Sequence, residues 1–294
     1  MDVLKSFSPS FFRSLQQLKI RTRRAYLGSR QGSHLSSRRG HGLEFADYKA
    51  YSPGDDFRHI DWGIYGRTDR AYVRQFREEQ DLNVLILLDT SASMGFPPNE
   101  GKFTLASEIA LALGFIALAS GDSVNFGILG HKLSPRFSGE RAFRRAASEL
   151  NRLEPSGHVD LVREVRAAVM QQRNPGKCFF ISDFLDESPV LTEAIDIIRA
   201  RNFELVLVQV LSPSELRLEL KSGAYRAVDA ETGEEFELAL DSESQKEYAE
   251  ALASHVAALE QHALRLGLPH VLIPSSESLG TIMLNRLPAL GVLQ

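Results

Sequence analysis

Asp89, Ser91 and Ser93 are the residues best placed to do chemistry in this chain: a carboxylate and two hydroxyls at steps of two, directly after the apolar run Val84 to Leu88. In a chain that is still extended, side chains two apart point the same way, so these oxygen-bearing groups can converge on one point. Such a set suits a hard cation. Magnesium takes oxygen ligands in octahedral geometry and keeps several waters, which leaves positions open for a partner. The competing reading is a helix cap, because Asp, Ser and Thr are favoured N-cap residues. A second carboxylate strengthens the cation reading: Asp183 follows Ser182 at the end of another apolar run, Lys177 to Ile181, and shares a rim with Asp89 if the two strands are neighbours.

The elements that must position these groups follow from periodicity. Five apolar residues without a polar alternation, Val84 to Leu88, read as a strand buried on both faces, as in a parallel sheet. A helix is expected over 102–119, then a strand over 123–129, helices over 140–150 and 161–172, a strand over 177–181, a helix over 190–201 and a strand over 203–211. Strands alternating with helices of this length imply crossovers and an α/β fold, a mostly parallel sheet covered on both faces. Ligands in such sheets bind beyond the carboxyl ends of the strands. The tail reads as a hairpin over 225–240, a long helix over 242–266, a strand over 270–274 and a closing helix over 278–287. His255 and His262 on the long helix lie two turns apart with no third ligand apparent, so they read as ordinary helix residues.

Composition narrows the class. With 294 residues and 43% hydrophobic content, the chain can bury a substantial core. The net charge of -4 conceals an asymmetry: residues 1–80 carry +6 and the remainder -10. A basic front on an acidic body marks nucleic acid, a membrane, an acidic partner or a contact within the chain, and the internal contact is the simplest. Cys178 is the only cysteine, which excludes an intrachain disulfide and a cysteine-based zinc site. No run approaches the roughly 20 apolar residues of a membrane span. Without a signal-peptide pattern at the N-terminus, a cytoplasmic location is expected.

The front of the chain has its own organisation. Phe11, Phe12, Leu15 and Leu18 define a helical stripe that turns basic through Lys19, Arg21, Arg23 and Arg24, and packing on the body is expected of it. A loop rich in Gly, Ser and Arg covers 29–42. From Gly40 to Glu79 the aromatics Phe45, Tyr48, Tyr51, Phe57 and Trp62 alternate with Glu44, Asp47, Asp55, Asp56, Arg58 and Asp61. This mixture fits either a small module with paired buried charges, Arg58 being the natural bidentate partner, or a docking surface.

Several of these stretches carry a resemblance. They are Gly42-Leu43-Glu44-Phe45-Ala46-Asp47-Tyr48 with Pro53-Gly54-Asp55-Asp56-Phe57-Arg58-His59-Ile60-Asp61-Trp62, then Asp89-Thr90-Ser91-Ala92-Ser93-Met94 and Ile181-Ser182-Asp183-Phe184. Together with the hairpin-and-helix tail, they make the chain resemble a bacterial family catalogued as domain of unknown function fifty-eight, whose members carry a von Willebrand factor A domain. The resemblance covers nearly everything after Gly40. It implies a von Willebrand A-like, Rossmann-type sheet with helices on both faces, an N-terminal family-specific module and a C-terminal hairpin-helix extension. The expected organisation is a basic helix and loop over 1–39, the signature module over 40–81, the A-like domain over 82–212 and the extension over 213–294. The resemblance also implies a metal-ion-dependent adhesion site for magnesium, with Asp89, Ser91, Ser93 and Asp183 as ligands. One motif departs from the family pattern. Where relatives often read Gly-Gly-Thr-Asp-Leu, this chain reads Gly157-His158-Val159-Asp160-Leu161, so Val159 has the threonine shape without its hydroxyl, and the imidazole of His158 matches magnesium poorly.

The function implied is a non-enzymatic protein-interaction adaptor working with a MoxR-type AAA+ ATPase on a client protein. No Gly-x-x-x-x-Gly-Lys-Ser/Thr run is present to cradle phosphates, which assigns the ATPase to another chain. The alternative from enzyme chemistry is a haloacid dehalogenase-like phosphatase with Asp89 as nucleophile and with Asp183 and Asp186 imitating its later acidic motif. That chemistry needs a second acid two residues on, where this chain has Ser91, whose hydroxyl has too high a pKa for the role. Ser91 also lacks the Gly-x-Ser-x-Gly elbow of a serine hydrolase. Nucleic-acid binding through the basic N-terminus is a further alternative, without aromatic interleaving in the loop to support it.

Overall fold

The apolar run before Asp89 becomes an inner strand of a six-stranded sheet, and its side chains serve two cores at once. Val84, Ile86 and Leu88 enter one core and Leu85 and Leu87 the other, all fully buried. Both faces being covered, no polar residue is tolerated at any alternate position. The computed structural model describes residues 3–22, 44–77, 82–131, 133–139, 142–218, 220, 222–229 and 233–294. The loop expected over 29–42 lies outside the described residues. The chain forms two compact units, one of residues 1–24 and 82–294 and one of residues 25–81.

In chain order the elements are α1 (Pro9–Gln16), β1 (Glu44–Ala50), α2 (Trp62–Thr68), β2 (Tyr72–Arg77), β3 (Asn83–Leu88), α3 (Lys102–Ala119), β4 (Ser123–Ile128), β5 (Phe137–Ser138) and α4 (Ala142–Leu150). There follow α5 (Leu161–Met170), β6 (Lys177–Ser182), α6 (Ser188–Ala200), β7 (Glu204–Leu211), α7 (Pro213–Leu216), β8 (Gly223–Val228), β9 (Glu235–Leu240), α8 (Ser242–Arg265) and β10 (His270–Pro274). The chain closes in helical turns over 279–289, the middle of which is a π turn rather than the regular helix expected.

The main sheet runs β10-β7-β6-β3-β4-β5, parallel throughout except for the short edge strand β5, which is antiparallel to β4. The expected architecture, a mostly parallel sheet with helices on both faces, is the one observed. One face is covered by α3, with α1 and α4 beyond it; the other by α5, α6 and the end of α8. Helix α3 is buried at every position except Thr104 and Ala119 because it lies between the sheet and an outer layer, which explains its all-round hydrophobicity. Contrary to the expectation that no run approaches a membrane span, it is long and apolar enough to cross one, yet its apolar surface is taken up inside the fold. The aromatic stripe of the first residues supplies the outer layer: Phe12 meets Phe115 and Phe143 edge-on at 4.9 and 5.6 Å, and Leu15 is fully buried. Cys178 is core, and burial pushes its thiol pKa up, leaving it unreactive.

The second unit is an antiparallel pair, β1 with β2, and the helix α2 between them. Asp61 is its buried carboxylate: Oδ1 caps α2 by accepting from the Gly63 and Ile64 N–H groups, and Oδ2 accepts from the Tyr48 hydroxyl at 3.0 Å. The expected buried pairing of Arg58 is not what forms. Arg58 does make a two-pronged bond to Asp56, but on the surface.

Gly176 shows how closely β6 must approach β3. A Cβ there would overlap the carbonyl of Asn83, which is backbone and cannot turn aside. Gly176→Ala is therefore expected to destabilise the protein by about 2–3 kcal/mol, read as a lowered urea midpoint at unchanged slope. An unchanged midpoint would show that the two strands can separate freely at this end.

Candidate functional site

The sheet order makes β3 and β6 neighbours, with Leu88 opposite Ile181 and the Asp89 N–H donating to the Ile181 carbonyl at 3.0 Å. Asp89 and Asp183 thus leave the sheet side by side at its carboxyl rim. Asp89 is 2% exposed and both its oxygens are engaged: Oδ1 accepts from the Ser91 N–H at 2.9 Å and Oδ2 from the Ser182 hydroxyl at 2.7 Å. Ser182 Oγ in turn accepts from the Phe184 N–H. The hydroxyls of Ser91 and Ser93 share a hydrogen bond of 2.9 Å. Thr90 ties the turn to the next strand by donating to the Leu129 carbonyl at 2.6 Å. Burial above all, and then the charge of Asp183, raise the pKa of Asp89, against the hydrogen bonds from Ser91 and Ser182. As a helix cap the segment does little: it opens only a short 3₁₀ turn, Ala92–Gly95, without a side-chain cap bond, and α3 begins well beyond it.

The group that sequence reasoning missed is Lys102. Its side chain is fully buried, and Nζ lies 2.9 Å from Asp183 Oδ2 and 2.6 Å from Glu215 Oε1. Glu215 is held for this contact by a capping box at the start of α7, its Oε2 accepting from the Ser212 N–H at 2.7 Å and the Ser212 hydroxyl at 2.8 Å. Asp183 is fixed from two further sides: Oδ1 accepts from the Leu185 N–H, and its carbonyl accepts from Gln209 Nε2 at 2.8 Å. Two signals were present in the sequence. A lysine in the first turn of a helix opposes the macrodipole and calls for an acid. The run Ser212-Pro213-Ser214-Glu215 has the spacing of a capping box.

The segment Gly157 to Leu161 lies against the same turn. The Gly157 carbonyl accepts from the Ala92 N–H and the Thr90 carbonyl from the Ser156 N–H. Val159 packs beside Leu129 and Gly130 in the core, and Asp160 caps α5 through the Arg163 N–H. These residues do not fit the oxygen shell of magnesium. Asp183 already shares its carboxylate with an ammonium, the serine hydroxyls are turned on each other, and Val159 supplies no oxygen. Among the described residues no three His, Cys, Asp or Glu side chains are grouped to hold a metal. Phosphatase chemistry fits no better, since a buried Asp89 with both oxygens bonded offers a substrate little access.

A match to the family model described as "Protein of unknown function DUF58" spans residues 47–258, which includes most of the module, the rim and most of α8. The chain belongs to the DUF58 family. Uncharacterized proteins of Mycobacterium tuberculosis and Mycobacterium bovis are 28% identical to it over 269 residues, covering 89% of this chain and 84% of theirs. Among solved structures, a conserved hypothetical protein BatB from Bacteroides thetaiotaomicron aligns over 71% of this chain and 98% of its own at 15% identity and a TM-score of 0.41. A von Willebrand factor type A structure from Catenulispora acidiphila aligns over 48% of this chain and 35% of its own, at 17% identity and a TM-score of 0.33.

The environment of Asp89 gives this DUF58 chain a defined pH response. With a folded pKa above the unfolded one, the contribution of Asp89 to stability is complete below the ordinary carboxylate range and is lost as pH rises through the folded value. Asp89→Asn keeps the acceptor for Ser91 and removes the ionisation. The melting temperature of the variant, relative to wild type, should rise between about pH 4 and about pH 7; a difference that falls over this range would mean that the ionised form is the one favoured by the fold.

Proposed function

We propose that this DUF58 protein is a non-enzymatic interaction adaptor that works beside a MoxR-type AAA+ ATPase and brings a client protein to it. What supports an interaction role most is the set of exposed aromatics of the second unit. Phe57 is 66% and Trp62 64% exposed, and Tyr48, Tyr51 and Tyr65 are exposed with them. Trp62 and Tyr65 lie edge-to-face at 6.0 Å, and α2 buries none of its residues. Helices without a buried face are not held by packing, and α2 depends instead on the Asp61 cap. Exposed aromatics in this number are the composition of an interface core. The ion pairs Lys49 with Asp55 and Arg58 with Asp56 belong to the same unit. The choice of ATPase comes from the family resemblance.

The test is capture of the tagged full chain from its native cells, with nucleotide bound and with nucleotide removed. An AAA+ ATPase is expected in at least one state, and its absence from both would overturn the reading. Phe57→Ala and Trp62→Ala should each weaken capture by about 30-fold, the loss of about 2 kcal/mol that a buried aromatic anchor carries. Because both rings are exposed in the free protein, its melting temperature should stay within about 2 °C of wild type.

A further inference from the structure

We propose that Lys102 is the resident cation of the rim, a tethered ammonium in place of a divalent metal, and that the rim is complete without magnesium. The geometry has the attributes of an ion site. The ammonium is enclosed, is contacted by two carboxylates at 2.9 and 2.6 Å, and comes from an element other than those that bear its ligands. Placing it at the first turn of α3 is electrostatically adverse, so its position there reflects the carboxylates it meets rather than the needs of the helix. Buried charges of this kind persist only when paired and hydrogen-bonded, and here every element of the pairing is secured: Asp183 by Leu185 and Gln209, Glu215 by Ser212.

Glu215 adds a second part to the assignment. A rim metal with an open position would take an acidic side chain from a partner. This rim already holds such a carboxylate from within the chain, preplaced by the α7 cap. An incoming acid would find the ammonium enclosed and would approach three carboxylates, those of Asp89, Asp183 and Glu215. The rim is therefore a closed ion cluster, and binding through it would be insensitive to chelators. This holds whether or not the adaptor reading is right, since it concerns only the chain's own residues.

Manganese as the probe tests it on the full chain. Equimolar wild-type protein is expected to leave the electron paramagnetic resonance signal of free Mn²⁺ unchanged, and its melting temperature should be the same in EDTA and in millimolar Mg²⁺. Loss of the free signal in wild type, restored by Asp89→Asn, would overturn the proposal. Lys102→Ala removes the ammonium and opens its space. It should lower the melting temperature by roughly 10 °C and acquire a stabilisation by Mn²⁺ or Mg²⁺ that wild type lacks. A folded Lys102→Ala that keeps the wild-type melting temperature, or that ignores both cations, would also overturn it. Should this variant fail to fold with or without cation, the wild-type Mn²⁺ measurement decides.

Discussion

An ammonium with no access to water is tolerated only where carboxylates replace its hydration, and the rim of this sheet is built around that requirement. Lys102 brings together the start of α3, the end of β6 and the turn after β7. Each of those segments is also fixed independently. Helix α3 is clamped between sheet and outer helices, β6 is an inner strand, and Glu215 is bound to its own N-cap. Attraction between the charges does not need to be large under these conditions. The packing sets the geometry, and the charges make any other geometry costly because an unpaired partner would remain buried.

The asymmetry between Asp89 and Asp183 follows from the same cluster. Both carboxylates leave adjacent strands at one rim and both are buried, but only Asp183 has the ammonium at hydrogen-bonding distance. Asp89 is left with hydroxyl and amide donors and with the charge of Asp183 nearby, so its pKa rises. Two similar side chains at equivalent strand ends thus acquire different roles. Asp183 anchors an ion cluster, while Asp89 organises the turn through Ser91 and Ser182.

Much of this fold was legible because its signals are local. An unbroken apolar run such as Val84 to Leu88 announces a strand with two covered faces, and the alternation with helical stretches announces parallel neighbours. Asp89 and Asp183 could be placed on one rim from strand ends alone. The pairing of Lys102 with Asp183 and Glu215 could not, because it joins residues 81 and 113 positions apart. The role of Val159 was legible only as a missing hydroxyl; that the side chain serves the core emerges from Leu129 and Gly130 beside it. For the 44–77 module, alternating aromatic and charged residues did not distinguish a packed interior from a displayed surface. The deciding quantity is exposure: Tyr48, Tyr51, Phe57, Trp62 and Tyr65 are exposed, and α2 buries none of its residues.

The two units differ in how firmly they hold their side chains. In the main unit the sheet, its helices and the ion cluster are mutually committed, and opening the rim would expose Lys102, Asp183 and Glu215 together. Binding energy released there would be consumed in separating charges. The smaller unit has the opposite character: Asp61 holds α2 by its end, Phe57 and Trp62 are mostly exposed, and Trp62 meets Tyr65 of its own helix. On the proposed reading, covering those rings would remove apolar surface from water with little loss of internal packing, which favours association through the exposed aromatics even though the rim carries the more conspicuous polar residues.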